Sequence, residues 1–176
     1  MRASVFIATS LDGFIARADG TLDWLPAEPE PHGYDEFIAS IDGIVIGRKT
    51  YEWVQGYVAS RGGWPYGNMR VFVLSSTLTE LHAPQDAVCE RLSGEPQEIV
   101  EQLSARGLRH IYVDGGVTIQ RFLRAGLIDS MTITHIPVLL GSGIPLFGPL
   151  EQDMHWTHVT TRTYPSGMVQ SEYARA

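Results

Sequence analysis

Three short runs, GIVIG (43–47), VFVLSS (71–76) and HIYVDGG (110–116), are almost continuously apolar and rich in β-branched or aromatic residues. This feature limits the fold more than any other. A strand with one wet face alternates polar and apolar residues, whereas an unbroken apolar strand is buried on both faces and requires helices above and below its sheet. The sequence supplies those helices. Tyr34, Phe37, Ile38 and Ile41 recur at helical spacing, and KTYEWV (49–54) begins a helix directly after GIVIG. Ile99, Val100 and Leu103 define another helix over about 96–106, and VTIQRFLRAG (117–126) a fourth, with Gly126 placed to cap it. SVFIATS (4–10) and FIA (14–16) are strands either side of a turn at Asp12 and Gly13, and a short strand falls near 87–91. The stretch 19–33 reads as a long loop and QGYVASRGGWPYGN (55–68) as irregular. Beyond Gly126 the pattern changes: SMTITHIPVLLG, WTHVTTRTYP and GMVQSEYARA alternate without helices between them, which predicts antiparallel strands. The expected class is α/β, a mostly parallel mixed central sheet with antiparallel C-terminal strands and flanking helices.

The 176 residues, 44% of them apolar, can bury one good core but are few for two, so a single domain over 1–176 is expected. The 13 basic and 20 acidic residues give a net charge of -7, and the basic ones form no run, which argues against a nucleic-acid partner. No stretch approaches the ~20 apolar residues of a membrane helix, and a cytoplasmic location is expected. Cys89 is the lone cysteine, so an internal disulfide and a cysteine zinc cluster are excluded. His155 and His158 share a strand at a spacing that sends them to opposite faces, and no metal site is expected.

A sheet of this kind binds ligands beyond the carboxyl ends of its strands, where helix N-termini gather. Three strand ends carry suitable chemistry. VIGRKTYE offers close approach at Gly47, charge at Arg48 and Lys49 and a hydroxyl at Thr50; VLSST brings Ser75, Ser76 and Thr77 together; VDGG precedes a helix, with Gly115 and Gly116 exposing backbone amides. Each has a plain structural reading, as a turn, a cap or a solvated charge, but three anion-competent ends on one edge suit a dinucleotide. The GxGxxG fingerprint is missing: in GSGIPL the third glycine position is Leu146.

Taken together, ATSLDGFIA, DGTLDWL, IVIGRKTYE, VFVLSST, VDGGVTIQRFL and VLLGSGIPLF follow one another as in the dihydrofolate-reductase-like superfamily. Over nearly its whole length the chain resembles the branch similar to the reductase (C-terminal) domain of the bacterial riboflavin-biosynthesis deaminase-reductase. The resemblance implies a three-layer dihydrofolate-reductase-like fold and an NADPH-dependent reductase, of the 5-amino-6-(5-phosphoribosylamino)uracil reductase or dihydrofolate reductase type. The substrate would be a small pyrimidine- or pteridine-like heterocycle. It further implies that Ala8 and Ile15 hold the nicotinamide carboxamide and that Gly47, Arg48, Lys49 and Thr50 hold phosphate, with Ser75 and Ser76 completing the adenosine-phosphate pocket. Gly115, Gly116, Val117 and Thr118 would line the pyrophosphate and nicotinamide, around a strained cis peptide.

Asp35 and Glu36 are the leading candidate acids, followed by Asp12 and Asp23, although the position one turn before Phe37 is Gly33 rather than a carboxylate. Trp24 and Tyr51 are candidates for an aromatic substrate wall. A second reading is a non-catalytic NADP-binding protein or regulator on the same fold. The exposed edge of the late strands suits a homodimer.

Overall fold

GIVIG forms β3 (Gly43–Gly47), and its alternation sorts its side chains between two separate cores. Val45 points to one face of the sheet, while Ile44 and Ile46 point to the other. The molecule is described by a computed structural model covering residues 1–26, 30–83 and 87–176, the Arg61 side chain excepted. Among these residues the other large-sheet strands are β1 (Arg2–Ser10), β4 (Val71–Leu74), β5 (Cys89–Leu92), β6 (His110–Asp114), β7 (Ser130–Ile136), β9 (Trp156–Thr163) and β10 (Val169–Arg175). They lie in the order β5-β4-β3-β6-β1-β7-β10-β9. A two-stranded sheet pairs β2 (Phe14–Ala16) with β8 (Ile144–Pro145).

From β5 to β7 every described pairing is parallel, and β10 runs antiparallel to both its neighbours. The C-terminal strands are therefore antiparallel as expected, but β7 and β9 do not pair with each other, because β10 inserts between them. One core packs Ala3, Val5, Val45, Phe72, Ile111 and Val113 against Ile99 and Leu103 of α3 (Pro96–Ala105) and Ile119 and Phe122 of α4 (Gly116–Arg124). The other packs Phe6, Ile44, Ile46, Val71, Val73 and Tyr112 against Tyr51 of α2 (Arg48–Arg61), with Tyr34 and Phe37 of α1 (Tyr34–Ala39) alongside. Each fully buried aliphatic or aromatic side chain contributes roughly 1.5–3 kcal/mol.

Residues 55–60, read as irregular from sequence, continue α2 to Arg61. Gly56 costs the helix about 1 kcal/mol relative to alanine, but the buried Tyr51 and Val54 anchor the preceding turn. The helix stops where Gly62 donates to the Val58 carbonyl at 2.9 Å and Gly62 and Gly63 adopt φ of 72° and 78°. Gly126, at φ 65°, ends α4 as expected: its N–H reaches the Leu123 carbonyl at 2.8 Å, and that of Leu127 reaches Phe122 at 2.9 Å. No described helix is long and apolar enough to cross a membrane.

Candidate active site

Parallel strands with α2 and α4 rising directly from β3 and β6 bring Gly47, Asp114 and the end of β1 to one edge. Gly47 caps α2 and Gly115 caps α4, and neither helix start receives a side-chain cap. Their first-turn N–H groups are thus left for backbone, water or a ligand, and the helix dipole favours an anion there.

The glycines are required by the protein itself. A Cβ on Gly47 would come within 2.7 Å of Thr118 Oγ1, and one on Gly115, held at φ +90°, would collide with Thr50 Oγ1. The two helix starts interlock, each threonine filling the space above the other helix's cap glycine. At Gly116 a Cβ would meet Ile15 Cδ1 at 3.1 Å and both Ile144 Cγ2 and the Pro145 carbonyl at 3.3 Å. No cis peptide occurs among the described residues, so the strained bond implied by resemblance is replaced by an ordinary trans link.

The remaining candidates fall into distinct settings. Ala8 lies in β1 and Ile15 in β2, both half-buried. Arg48 and Lys49 are exposed at the start of α2, and Arg48 is held by Glu52 at 3.0 Å. Ser75 Oγ accepts from the N–H groups of Thr77 at 3.1 Å and Leu78 at 3.0 Å, while Ser76 is exposed. Val117 is exposed and Thr118 buried. Asp35 and Glu36 are exposed in the first turn of α1. The Trp24 indole N–H is enclosed without a hydrogen-bond partner, whereas the Tyr51 ring belongs to the core.

Asp114 is the acid that sequence reasoning passed over. It ends β6 between β1 and β3, and its carboxylate accepts from the Gly115 N–H at 2.7 Å. Burial pushes this carboxyl above the usual range, while the Gly115 N–H and the Tyr112 hydroxyl pull the other way. Three tyrosines feel its charge. Burial raises Tyr34 to about 12, with Asp114 adding to the effect, and raises Tyr66 and Tyr112 further. Tyr112 donates to the Phe6 carbonyl at 2.8 Å, and Phe6 contacts Tyr34 and Phe37 with ring centroids 5.5 and 5.1 Å apart. Trp64 packs edge-on against Tyr66 at 5.4 Å. A carboxyl raised by desolvation and close enough to three tyrosines to act on them electrostatically can meet a flat heterocycle. The sequence signal was present in VDGG, where an acid at the end of a buried strand stands beside the glycines.

The other two acids are committed elsewhere. Asp23 pairs with Arg17 on the surface at 2.6 Å, and Asp12 accepts from Ser10 and two backbone amides, both groups being held below the usual carboxylate range. No cluster of three or more metal-ligating side chains occurs among the described residues. The residues present do fit a dinucleotide, since two adjacent helix starts without side-chain caps and the exposed Arg48 and Lys49 offer donors and charge along one edge.

Residues 4–170 match the family described as the RibD C-terminal domain. The uncharacterized protein YwjB of Bacillus subtilis (strain 168) is 33% identical over 175 residues, covering 98% of this chain and 97% of its own. A crystal structure of a Shewanella sp. PV-4 protein, provisionally assigned to riboflavin biosynthesis, superposes with a TM-score of 0.91 at 41% identity, covering 100% of this chain and 99% of that one. Dihydrofolate reductase from Enterococcus faecalis, solved with NADP(H), superposes with a TM-score of 0.66 at 18% identity over 99% of this chain and 96% of its own, a likeness of fold.

Proposed function

Since the chain belongs to the RibD C-terminal domain family, we propose that it is a cytoplasmic NADPH-dependent reductase of a small pyrimidine- or pteridine-like heterocycle. The observation that carries this reading is the half-buried Asp114, its carboxyl raised above the usual range by desolvation, at the end of β6 directly before the α4 helix start. When bound, a nicotinamide dinucleotide supplies the hydride. The protein's part is to hold that group, orient the heterocycle and deliver a proton.

The N–H groups following Gly47 and Gly115 would hold the phosphates. Arg48, with Lys49 beside it, would turn from Glu52 to a 2'-phosphate, with Ser75 and Ser76 completing that pocket. Ala8 and Ile15 would seat the carboxamide, with Gly116, Val117 and Thr118 beside it. Tyr34, Tyr66 and Trp24 would bracket the substrate ring, and Asp114 would protonate it. Asp35 and Glu36, exposed in the first turn of α1, would take a secondary role in steering. The E. faecalis structure's NADP(H) supports the cofactor by analogy of fold. The exposed β9 edge, with Val159 uncovered, favours a homodimer, read directly by sedimentation.

The test is substrate-dependent loss of NADPH absorbance across a panel of aminopyrimidines and pterins, with Asp114→Asn in parallel. Turnover by the wild type, reduced about a hundredfold or more in the variant, is the expected result. Turnover unaffected by Asp114→Asn removes the acid, and cofactor binding without turnover on any substrate leaves the non-catalytic reading.

A further inference from the structure

Asp12 lies two residues beyond β1, in the turn leading to β2, and both of its carboxylate oxygens are engaged. Oδ1 accepts from the Ser10 hydroxyl at 2.6 Å and the Leu140 N–H at 3.1 Å, and Oδ2 accepts from the Gly141 N–H at 2.7 Å. Ser10 is fully buried, and its Oγ accepts in turn from the Phe14 N–H at 3.0 Å. The carboxylate therefore ties both limbs of the turn to a segment far along the chain. These bonds, that of Ser10 foremost, keep Asp12 ionised, so it has no proton to give near neutral pH.

The segment it holds, 138–146, lies along residues 11–16. Leu11 donates to the Val138 carbonyl at 2.8 Å, Leu146 donates to the Gly13 carbonyl at 3.0 Å, and β8 pairs with β2. Gly143 has no room for a side chain, because the Ala16 carbonyl and Phe14 stand where its Cβ would be. The same arm meets the start of α4, where Ile15, Ile144 and Pro145 crowd Gly116 and the Gln120 side chain donates to the Pro145 carbonyl at 3.1 Å.

We propose that Asp12 is a positioning residue, a carboxylate clamp that fixes the 138–146 arm against the β1–β2 turn and so sets the wall beside the α4 helix start. Its functional consequence rests on the dinucleotide reading above; the clamp itself does not. The chemistry favours a carboxylate, since two of the three partners are backbone N–H groups that can only donate and the third, the Ser10 hydroxyl, donates here while accepting from Phe14. Asparagine keeps the shape but turns an amide N–H toward the Gly141 N–H.

The experiment is amide hydrogen exchange on wild type, Asp12→Asn and Ser10→Ala, with NADPH titration and steady-state kinetics on the same preparations. In Asp12→Asn, exchange at Leu140 and Gly141 rises about tenfold, the scale of one lost hydrogen bond, while 156–175 is unchanged. The KM for NADPH rises by a similar factor, with kcat within about twofold. Ser10→Ala, which leaves the carboxylate in place, gives a smaller rise at the same two amides and decides the matter should Asp12→Asn not fold. Unchanged exchange at 138–146 overturns the clamp, as does a collapse of kcat without local loosening, which would make Asp12 a catalytic acid. Absence of NADPH binding by the wild type removes the reductase reading, and the exchange result still decides the clamp.

Discussion

At Asp114 the raised carboxyl gives a signed expectation. A carboxyl whose folded pKa lies above its unfolded value stabilises the fold in its protonated form, and that contribution is lost as pH rises through the folded pKa. Asp114→Asn removes the penalty of ionising a buried group, so its melting temperature should gain on the wild type as pH is raised from about 4, the ordinary carboxylate value, to 8. Parallel pH dependences would show that Asp114 titrates normally. At Gly115 two costs coincide, a left-handed backbone and the Thr50 hydroxyl. Gly115→Ala should destabilise by about 1–3 kcal/mol in urea unfolding. Adding Thr50→Ala should recover the steric part alone, and full recovery would mean that the backbone angle carries no strain.

Among the elements, α4 shows what the sequence can and cannot convey. Its helical spacing, glycine start and Gly126 stop are all local, and all are realised, because each depends on residues within a turn or two. Phe122 is fully buried against α3 and the sheet, and Phe122→Ala should cost about 3–5 kcal/mol, read from denaturant midpoints. A loss under about 1 kcal/mol would mean that the core collapses around the gap. The misreading of α2 has the opposite origin. Gly56, Gly62, Gly63 and Pro65 give the stretch the composition of a loop, whereas burial of Tyr51 and Val54 outweighs the one weak helix former, Gly56, that falls inside the helix. The place of β10 between β7 and β9 was not legible either, since alternation reports that a strand pairs but not with which neighbour.

For the whole molecule, the buried parallel runs determine that one sheet edge gathers the strand ends, and this is why the shared edge of Gly47 and Gly115 is legible in the sequence. The Asp114 surroundings are not, because Tyr34 and Tyr66, which feel that carboxyl's charge, belong to separate segments. The same edge joins the family's reductase-type fold to a protonatable group. The most direct measurement is a fluorescence titration of the purified protein with NADPH and NADH, beside Arg48→Ala and Ser76→Ala. Saturable binding with NADPH preferred, and that preference lowered about tenfold without the Arg48 guanidinium, is the predicted result. No saturable binding of either nucleotide would contradict the account at its centre.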